Sequence, residues 1–269
     1  MSSSDNNAKP VRDEDAFDVD ALSAWLAERG EGPVTEVQQF RGGASNLTYL
    51  VRTASSDGQS RDLILRRPPS GKKAAGAHDM GREHGIQAAL APVFPYVATM
   101  IGHEPDESVL GSEFYVMEKV PGQILRQDLP EPVAPEVADA LCQRVLDVLV
   151  ALHSVDVSAV PGLAALGKGE GYVGRQVRGW IRRLDGSRTD DTGDWSDVLA
   201  WIEEHQPADT GQVLIHNDYR LDNLVLDDDL GVRAVLDWEL ATVGDPLMDL
   251  SSMIAYWVEA DDDELFQLF

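Results

Sequence analysis

Two short apolar runs, Val213–His216 and Leu224–Leu226, enclose the densest polar cluster in the chain, Asn217-Asp218-Tyr219-Arg220-Leu221-Asp222-Asn223. A third apolar run, Val232–Leu236, leads into Asp237-Trp238-Glu239, with Asp237 fourteen residues beyond Asn223. Apolar runs this short, bounded by turn residues, read as buried strands. Asp218 then stands where a strand opens into a loop. The turn Asp227–Gly231 folds the second and third runs into a hairpin, with Asp227-Asp228-Asp229 as its solvated tip. That pairing sets Asn223, at the head of one strand, beside Asp237, at the end of the other, with Asp218 expected close by. A carboxylate and an amide oxygen are hard donors suited to Mg2+, which completes its coordination with waters and phosphate oxygens. Asp218 is left to orient a hydroxyl nucleophile and take its proton.

The preceding 120 residues read as a small sheet carrying one helix. Val19, Leu22, Trp25 and Leu26 give an amphipathic helix over Asp18–Arg29, ended by Gly30 and by Gly32-Pro33. Strands are expected over Val34–Phe40, Leu47–Thr53 and Asp62–Arg66, a helix over Asp79–Leu90, and strands at Tyr96–Ile101 and Glu113–Val120. Residues 1–15 are polar and are expected to be disordered. After Pro121-Gly122 the pattern turns helical. Pro135–His153 carries Val137, Leu141, Val145, Val148, Leu149 and Leu152 on one face. Further helices are expected over Tyr172–Leu184, Trp195–His205 and about Asp249–Glu259. The reading is an α+β chain with an N-terminal lobe over 1–120 and a helical C-terminal lobe over 121–269.

A chain of 269 residues with 43% hydrophobic content can bury a core, which excludes a disordered acidic protein. No apolar run approaches the roughly 20 residues of a membrane span, and the N-terminus lacks the plan of a signal peptide. The expectation is a soluble cytoplasmic protein with no membrane partner. With 47 acidic against 22 basic residues, the net charge of −25 repels phosphate backbones. No basic stripe with interleaved aromatics stands out, so no nucleic-acid partner is expected. The acid is spread along the whole chain rather than gathered for a cationic substrate. Asp occurs 30 times and Lys five, a composition that stays solvated in concentrated salt and points to a salt-loving source. The single cysteine, Cys142, excludes an internal disulfide and a cysteine zinc site, and it reads as buried filler in its helix.

The motif His216-x-Asp218-x-x-x-x-Asn223, the later Asp237, and the run Asp237-Trp238-Glu239-Leu240-Ala241-Thr242-Val243-Gly244-Asp245-Pro246 together resemble the aminoglycoside phosphotransferase family. The chain is most similar to the branch of small-molecule kinases fused to, or encoded beside, acyl-CoA dehydrogenases. The resemblance covers roughly residues 34–259 and implies a protein-kinase-like bilobal fold. It implies that Asp218 is the catalytic base, that Asn223 and Asp237 hold Mg2+ against the phosphates of ATP or GTP, and that His216 packs under the loop. Asp249 is expected to anchor that loop rather than to bind substrate.

In the first lobe, Gly42-Gly43-Ala44-Ser45-Asn46 resembles the phosphate-covering loop, with Gly42, Gly43, Ser45 and Asn46 against the nucleotide. Tyr115–Gly122 resembles the hinge, with the backbone of Glu118 and Val120 on the purine edge. Glu83 resembles the helix carboxylate that orients a phosphate-gripping cation. That cation departs from the wider family: Arg66 stands where a Lys is usual, or Arg67 does if the register shifts by one.

The implied activity is transfer of a γ-phosphate to the hydroxyl of a small molecule, such as a hydroxyacyl thioester or related metabolite. An aminoglycoside-type phosphotransferase and a nucleotide-binding pseudo-kinase are the alternatives. The chain ends at Phe269, where family members continue with more helices, so the resemblance implies either a shortened substrate side or a truncated chain.

Overall fold

A computed structural model describes residues 8–40, 46–54, 60–69, 79–126, 133–259, 261–264 and 266–268. The chain divides into two compact units. One takes residues up to Val148 together with Leu221–Glu239, and the other takes Leu149–Arg220 with Leu240–Phe269.

The first unit is built on a six-stranded antiparallel sheet. Its strands are β1 (Ala8–Pro10), β2 (Val34–Phe40), β3 (Leu47–Ala54), β4 (Ser60–Arg67), β5 (Met100–Glu104) and β6 (Phe114–Glu118), in the order β1-β2-β3-β4-β6-β5. Side chains alternate across a strand, so each strand feeds both faces. Tyr49, Val51, Leu63, Leu65, Phe114 and Val116 pack with Leu22, Trp25 and Leu26 of α1 (Val19–Ala27). Leu50, Ile64, Tyr115 and Met117 pack on the opposite face with Met80 of α2 (Met80–Leu90). Each fully buried side chain of this kind contributes about 1.5–3 kcal/mol. Both helices begin on an aspartate cap, Asp18 accepting from the Ala21 amide at 3.0 Å and Asp79 from the Arg82 amide at 2.7 Å.

Within the polar N-terminal stretch expected to be disordered, residues 8–15 are ordered. Ala8–Pro10 pairs with Val34–Phe40 as an edge strand, and Asp15 is buried. The Asp15 carboxylate accepts from Gln39 Nε2 at 2.8 Å and pairs with Arg12. Its carbonyl accepts from Tyr49 Oη at 2.9 Å and Arg67 Nη2 at 3.1 Å. Polar residues are ordered here because buried partners satisfy them. The strand expected at Tyr96–Ile101 lies at Met100–Glu104 instead. Tyr96 serves elsewhere, its carbonyl accepting from the Val235 amide at 2.7 Å.

That bond helps to explain why Leu221–Glu239 joins the first unit. The hairpin of β8 (Leu224–Leu226) and β9 (Val232–Val235) is tied to it at Tyr96 and again at Gln123, which exchanges two 2.8 Å backbone bonds with Leu226. Gly122 permits this approach: a Cβ there would stand 2.4 Å from the Leu226 carbonyl oxygen.

Helix α3 (Pro135–His153) buries Leu141, Val145, Val148, Leu149 and Leu152. Val137 and Cys142, expected inside, are exposed, since Cys142 stands one position off the buried stripe. In the second unit, α4 (Tyr172–Gly186) packs with α5 (Ser196–Glu204). There β7 (Val213–Ile215) pairs with β10 (Thr242–Gly244), a strand not legible in the sequence. Helix α6 (Pro246–Ile254) starts three residues before the expected Asp249, because Asp245 caps it and Pro246 suits its first turn. No helix among the described residues is long and apolar enough to cross a membrane.

Replacing Leu65, fully buried on the α1 side of the sheet, with Ala is expected to cost about 2–5 kcal/mol in urea denaturation. Cys142→Ser is expected to stay within about 0.5 kcal/mol, and native Cys142 is expected to react with a thiol reagent without unfolding.

Candidate active site

Arg66 lies on the α2 side of β4, opposite Thr48 on β3 and Tyr115 on β6. It is 7% exposed. Its Nη1 bonds Glu83 Oε1 at 2.5 Å and its Nη2 bonds Asp237 Oδ1 at 3.0 Å. Arg67 points to the other face, where it donates to the Leu110 carbonyl at 3.0 Å and to the Asp15 carbonyl. Of the two registers open in the sequence, the structure brings Arg66, not Arg67, to Glu83. Glu83 is carried inward by helical spacing, on the face of α2 that buries Met80 and Gln87. Tyr115 Oη donates to the same Oε1 at 2.8 Å. Burial pushes the Glu83 carboxyl above its ordinary pKa, with Arg66 opposing it.

Asn223 and Asp237 come together through the hairpin, as the spacing predicts: the Leu236 amide bonds the Asn223 carbonyl at 2.8 Å. Asp237 has φ of +66°, a left-handed conformation uncommon outside glycine. The turn around it is held on both sides. Trp238 is fully buried and donates from Nε1 to the Val235 carbonyl at 2.9 Å. The Glu239 carboxylate accepts from Asn46 Nδ2 at 2.9 Å, and its carbonyl accepts from Arg82 Nη1 at 2.8 Å. Asn46 is thus a buried tie to the turn that carries Asp237. Gly42, Gly43 and Ser45 lie outside the described residues. Glu118 ends β6, its amide bonded to the Thr99 carbonyl at 2.8 Å and its carboxylate 3.6 Å from Arg61. Val120 packs against the Leu50–Met117 cluster.

Asp218 belongs to the second unit. There Asp249, fully buried, receives the His216 amide at 2.9 Å, the Asn217 amide at 2.7 Å and His153 Nε2 at 2.9 Å. It anchors the loop, as expected. Burial pushes its carboxyl up, but the hydrogen bonds from His153 and the two amides outweigh this and hold it below the ordinary range. His216 is fully buried and its Nδ1 accepts from the Asp218 amide at 3.3 Å. Asn217 has φ of +65° and accepts from Tyr172 Oη at 3.2 Å. The Asp218 carboxylate is part-exposed, with Arg220 Nε 3.8 Å away. Tyr115, Arg82 and Glu239 are site residues that spacing does not reveal. The one signal for Glu239 is its place two residues after Asp237.

Among the described residues no cluster of three or more His, Cys, Asp or Glu could hold a metal. In the first unit, the Asp237 carboxylate and the Asn223 amide oxygen are hard donors of the kind that would suit Mg2+.

The family model for the phosphotransferase enzyme family matches residues 36–269. The chain belongs to that family. It is 36% identical over 258 residues to acyl-CoA dehydrogenase family member 10 of Mus musculus, covering 94% of this chain and 24% of that protein. The chain therefore spans about a quarter of that relative's length. Its fold is protein-kinase-like. A solved structure from Ralstonia eutropha JMP134, described as a "putative aminoglycoside phosphotransferase", is 34% identical with a TM-score of 0.76, over 92% of this chain and 72% of that one. The streptomycin–ATP ternary complex of APH(2")-IIa shares the fold at 15% identity and a TM-score of 0.62, over 94% and 80%.

Asp249 is depressed in the folded state, so its stabilisation is present above the unfolded value of about 3.9 and is lost as pH falls through the folded one. Asp249→Asn is expected to cost about 2–3 kcal/mol near pH 7. It should also flatten the acid limb of a stability-versus-pH curve measured by thermal melting.

Proposed function

We propose that this phosphotransferase is a small-molecule kinase that moves the γ-phosphate of ATP or GTP to an acceptor hydroxyl. The observation that carries the reading is Arg66 seated between Glu83 and Asp237, with Asn223 beside Asp237 on the same hairpin. A bound Mg2+ on Asn223 and Asp237 would supply charge neutralisation at the phosphate oxygens. Arg66, aimed by Glu83, grips the phosphates, and the Gly42–Asn46 loop covers them while the backbone at Glu118 and Val120 takes the base. Asp218 accepts a hydrogen bond from the acceptor hydroxyl. As the hydroxyl oxygen bonds to the γ-phosphorus, the bond to the β-phosphate oxygen breaks, the proton passes to the Asp218 carboxylate and the nucleoside diphosphate leaves. Such a transfer is accelerated mainly by positioning and charge stabilisation.

A hydroxyacyl thioester or related metabolite is the proposed acceptor, supported by the similarity to an acyl-CoA dehydrogenase family member. A cytoplasmic setting, where nucleotide and Mg2+ are abundant, belongs to the same reading. An aminoglycoside acceptor is the second reading, favoured by the description of the Ralstonia structure.

Calorimetric titration of Mg-ATP and Mg-GTP, followed by phosphate-transfer assays, tests the reading. Asp218→Asn is expected to keep nucleotide binding and to lose about 10²–10⁴-fold in turnover. Asp237→Asn is expected to lose the Mg2+ dependence of nucleotide binding. Near-wild-type turnover in Asp218→Asn would remove Asp218 from the role of base, and no nucleotide binding by folded wild type would leave a degenerate kinase fold and remove the nucleotide-binding pseudo-kinase as well.

A further inference from the structure

The contact between Arg66 and Glu83 is a single bond. Nη1 reaches Oε1 at 2.5 Å, while Arg66 Nε and Glu83 Oε2 are both buried without a hydrogen-bond partner among the described residues. A guanidinium and a carboxylate that meet through two parallel bonds fix each other's plane. A pair joined by one bond does not, so the orientation of each group has to come from elsewhere. Arg66 has its second anchor in Asp237. Glu83 has its second anchor in Tyr115, whose Oη donates to Oε1 at 2.8 Å. Two donors on one oxygen and none on the other set the direction of the carboxylate.

The strand prepares this donor. Tyr115 stands directly opposite Arg66 in the antiparallel register of β4 and β6, so both side chains leave the sheet on the α2 face. The Tyr115 ring is fully buried beside Leu50, Ile64, Met80 and Met117. Phenylalanine would fill that place equally well, as Phe114 does on the other face. The hydroxyl is the part that apolar packing does not explain, because a buried phenol oxygen needs a polar partner. Burial pushes the Tyr115 phenol well above its ordinary pKa, so it stays protonated and able to donate. Gln87, buried one turn after Glu83 on α2, donates from Nε2 to Tyr115 Oη and to the Glu83 carbonyl, both at 3.4 Å. With a lone pair met by Gln87, the hydroxyl has its proton left for Glu83.

We propose that Tyr115 is a positioning residue for phosphate binding: through Glu83 it aims the Arg66 guanidinium before a nucleotide arrives, with Gln87 turning its hydroxyl proton toward the carboxylate. This rests on the nucleotide-binding reading above and deepens it. Tyr115 itself touches no phosphate. Losing its hydroxyl therefore weakens the grip on phosphate and spares the base-binding backbone at Glu118, which ends the same strand three residues on. At about 3.3 Å per residue, the two places stand about 10 Å apart along β6.

The test measures, by calorimetry, binding of Mg-ATP and of adenosine to the full chain, with Mg-GTP and guanosine in parallel. The proteins compared are wild type, Tyr115→Phe, Glu83→Gln and the double variant Glu83→Gln/Tyr115→Phe, each checked for folding by thermal melting. Tyr115→Phe is expected to weaken the Mg-nucleotide about tenfold, the worth of one hydrogen bond to a charged group. The nucleoside, which has no phosphates, is expected to keep its affinity. In the Glu83→Gln background the same substitution is expected to change Mg-nucleotide binding by less than about twofold, because Tyr115 acts through the carboxylate and the two effects do not add. A loss of the same size in both backgrounds overturns the proposal. So does equal weakening of nucleoside and Mg-nucleotide, which would mark a role in packing alone. If Tyr115→Phe does not fold, Glu83→Gln against the double variant decides: equal Mg-nucleotide affinity supports the proposal and unequal affinity overturns it. Wild type that binds Mg-nucleotide with no effect of Tyr115→Phe would sink the role of Tyr115 and leave the kinase reading standing. Folded wild type that binds no Mg-nucleotide would sink both.

Discussion

The buried guanidinium of Arg66 joins three pieces of chain that are distant in sequence: strand β4 that carries it, helix α2 through Glu83, and the β8–β9 hairpin through Asp237. Desolvating a charge costs several kcal/mol, and an ion pair offsets this only with good geometry and additional hydrogen bonds. Here Glu83 supplies one partner, Asp237 a second, and Tyr115 a hydroxyl donor to the shared Glu83 oxygen. The elements are thereby held in one relation. Helix α2 must present Glu83 inward, β6 must present Tyr115 to the same face, and the hairpin must deliver Asp237. The apolar clusters on the two sides of the sheet would tolerate small slides, whereas a cation with two carboxylate partners does not.

The second unit solves a similar problem with the opposite charge. Asp249 collects the amides of His216 and Asn217 and the ring of His153. Three donors outweigh the cost of burying the carboxylate, so it stays ionised and fixes the backbone just before Asp218. Among the described residues, Asn217 and Asp237 share left-handed backbone with one other non-glycine position, Leu230 in the hairpin turn, and each departs from regular strand beside a candidate site residue or at one. Asn and Asp tolerate that conformation better than other side-chain-bearing residues do. The strain is held at Asn217 by the Asp249 bond and at Asp237 by the buried Trp238 and the Glu239 ties.

Much of this was legible because periodicity and punctuation agree. Val34–Phe40, Pro135–His153 and Leu224–Leu226 fall on the expected residues. The Asn223–Asp237 neighbourhood followed from hairpin pairing alone. What escaped was polar chemistry decided by tertiary partners. Asp15 looks like solvated tail until Gln39, Tyr49 and Arg67 are placed around it. Tyr115 looks like one more strand aromatic, and only the approach of α2 turns its hydroxyl toward Glu83. Cys142 differs from buried filler by one helical position, a margin that pattern-matching does not resolve. The arginines of α4 are close in sequence, Arg175 to Arg183, but which of them share a face is fixed only once the helix is wound.

The choice of Arg over Lys at position 66 follows from the same geometry. A guanidinium is a planar fork whose two Nη atoms point in different directions. In this chain each serves a separate carboxylate, Nη1 the one on α2 and Nη2 the one after β9. A lysine would bring a single nitrogen, compact and strongly hydrated, to two acceptors on different elements. One guanidinium thus ties two carboxylates from different elements, a pairing that a single ammonium nitrogen would have to divide.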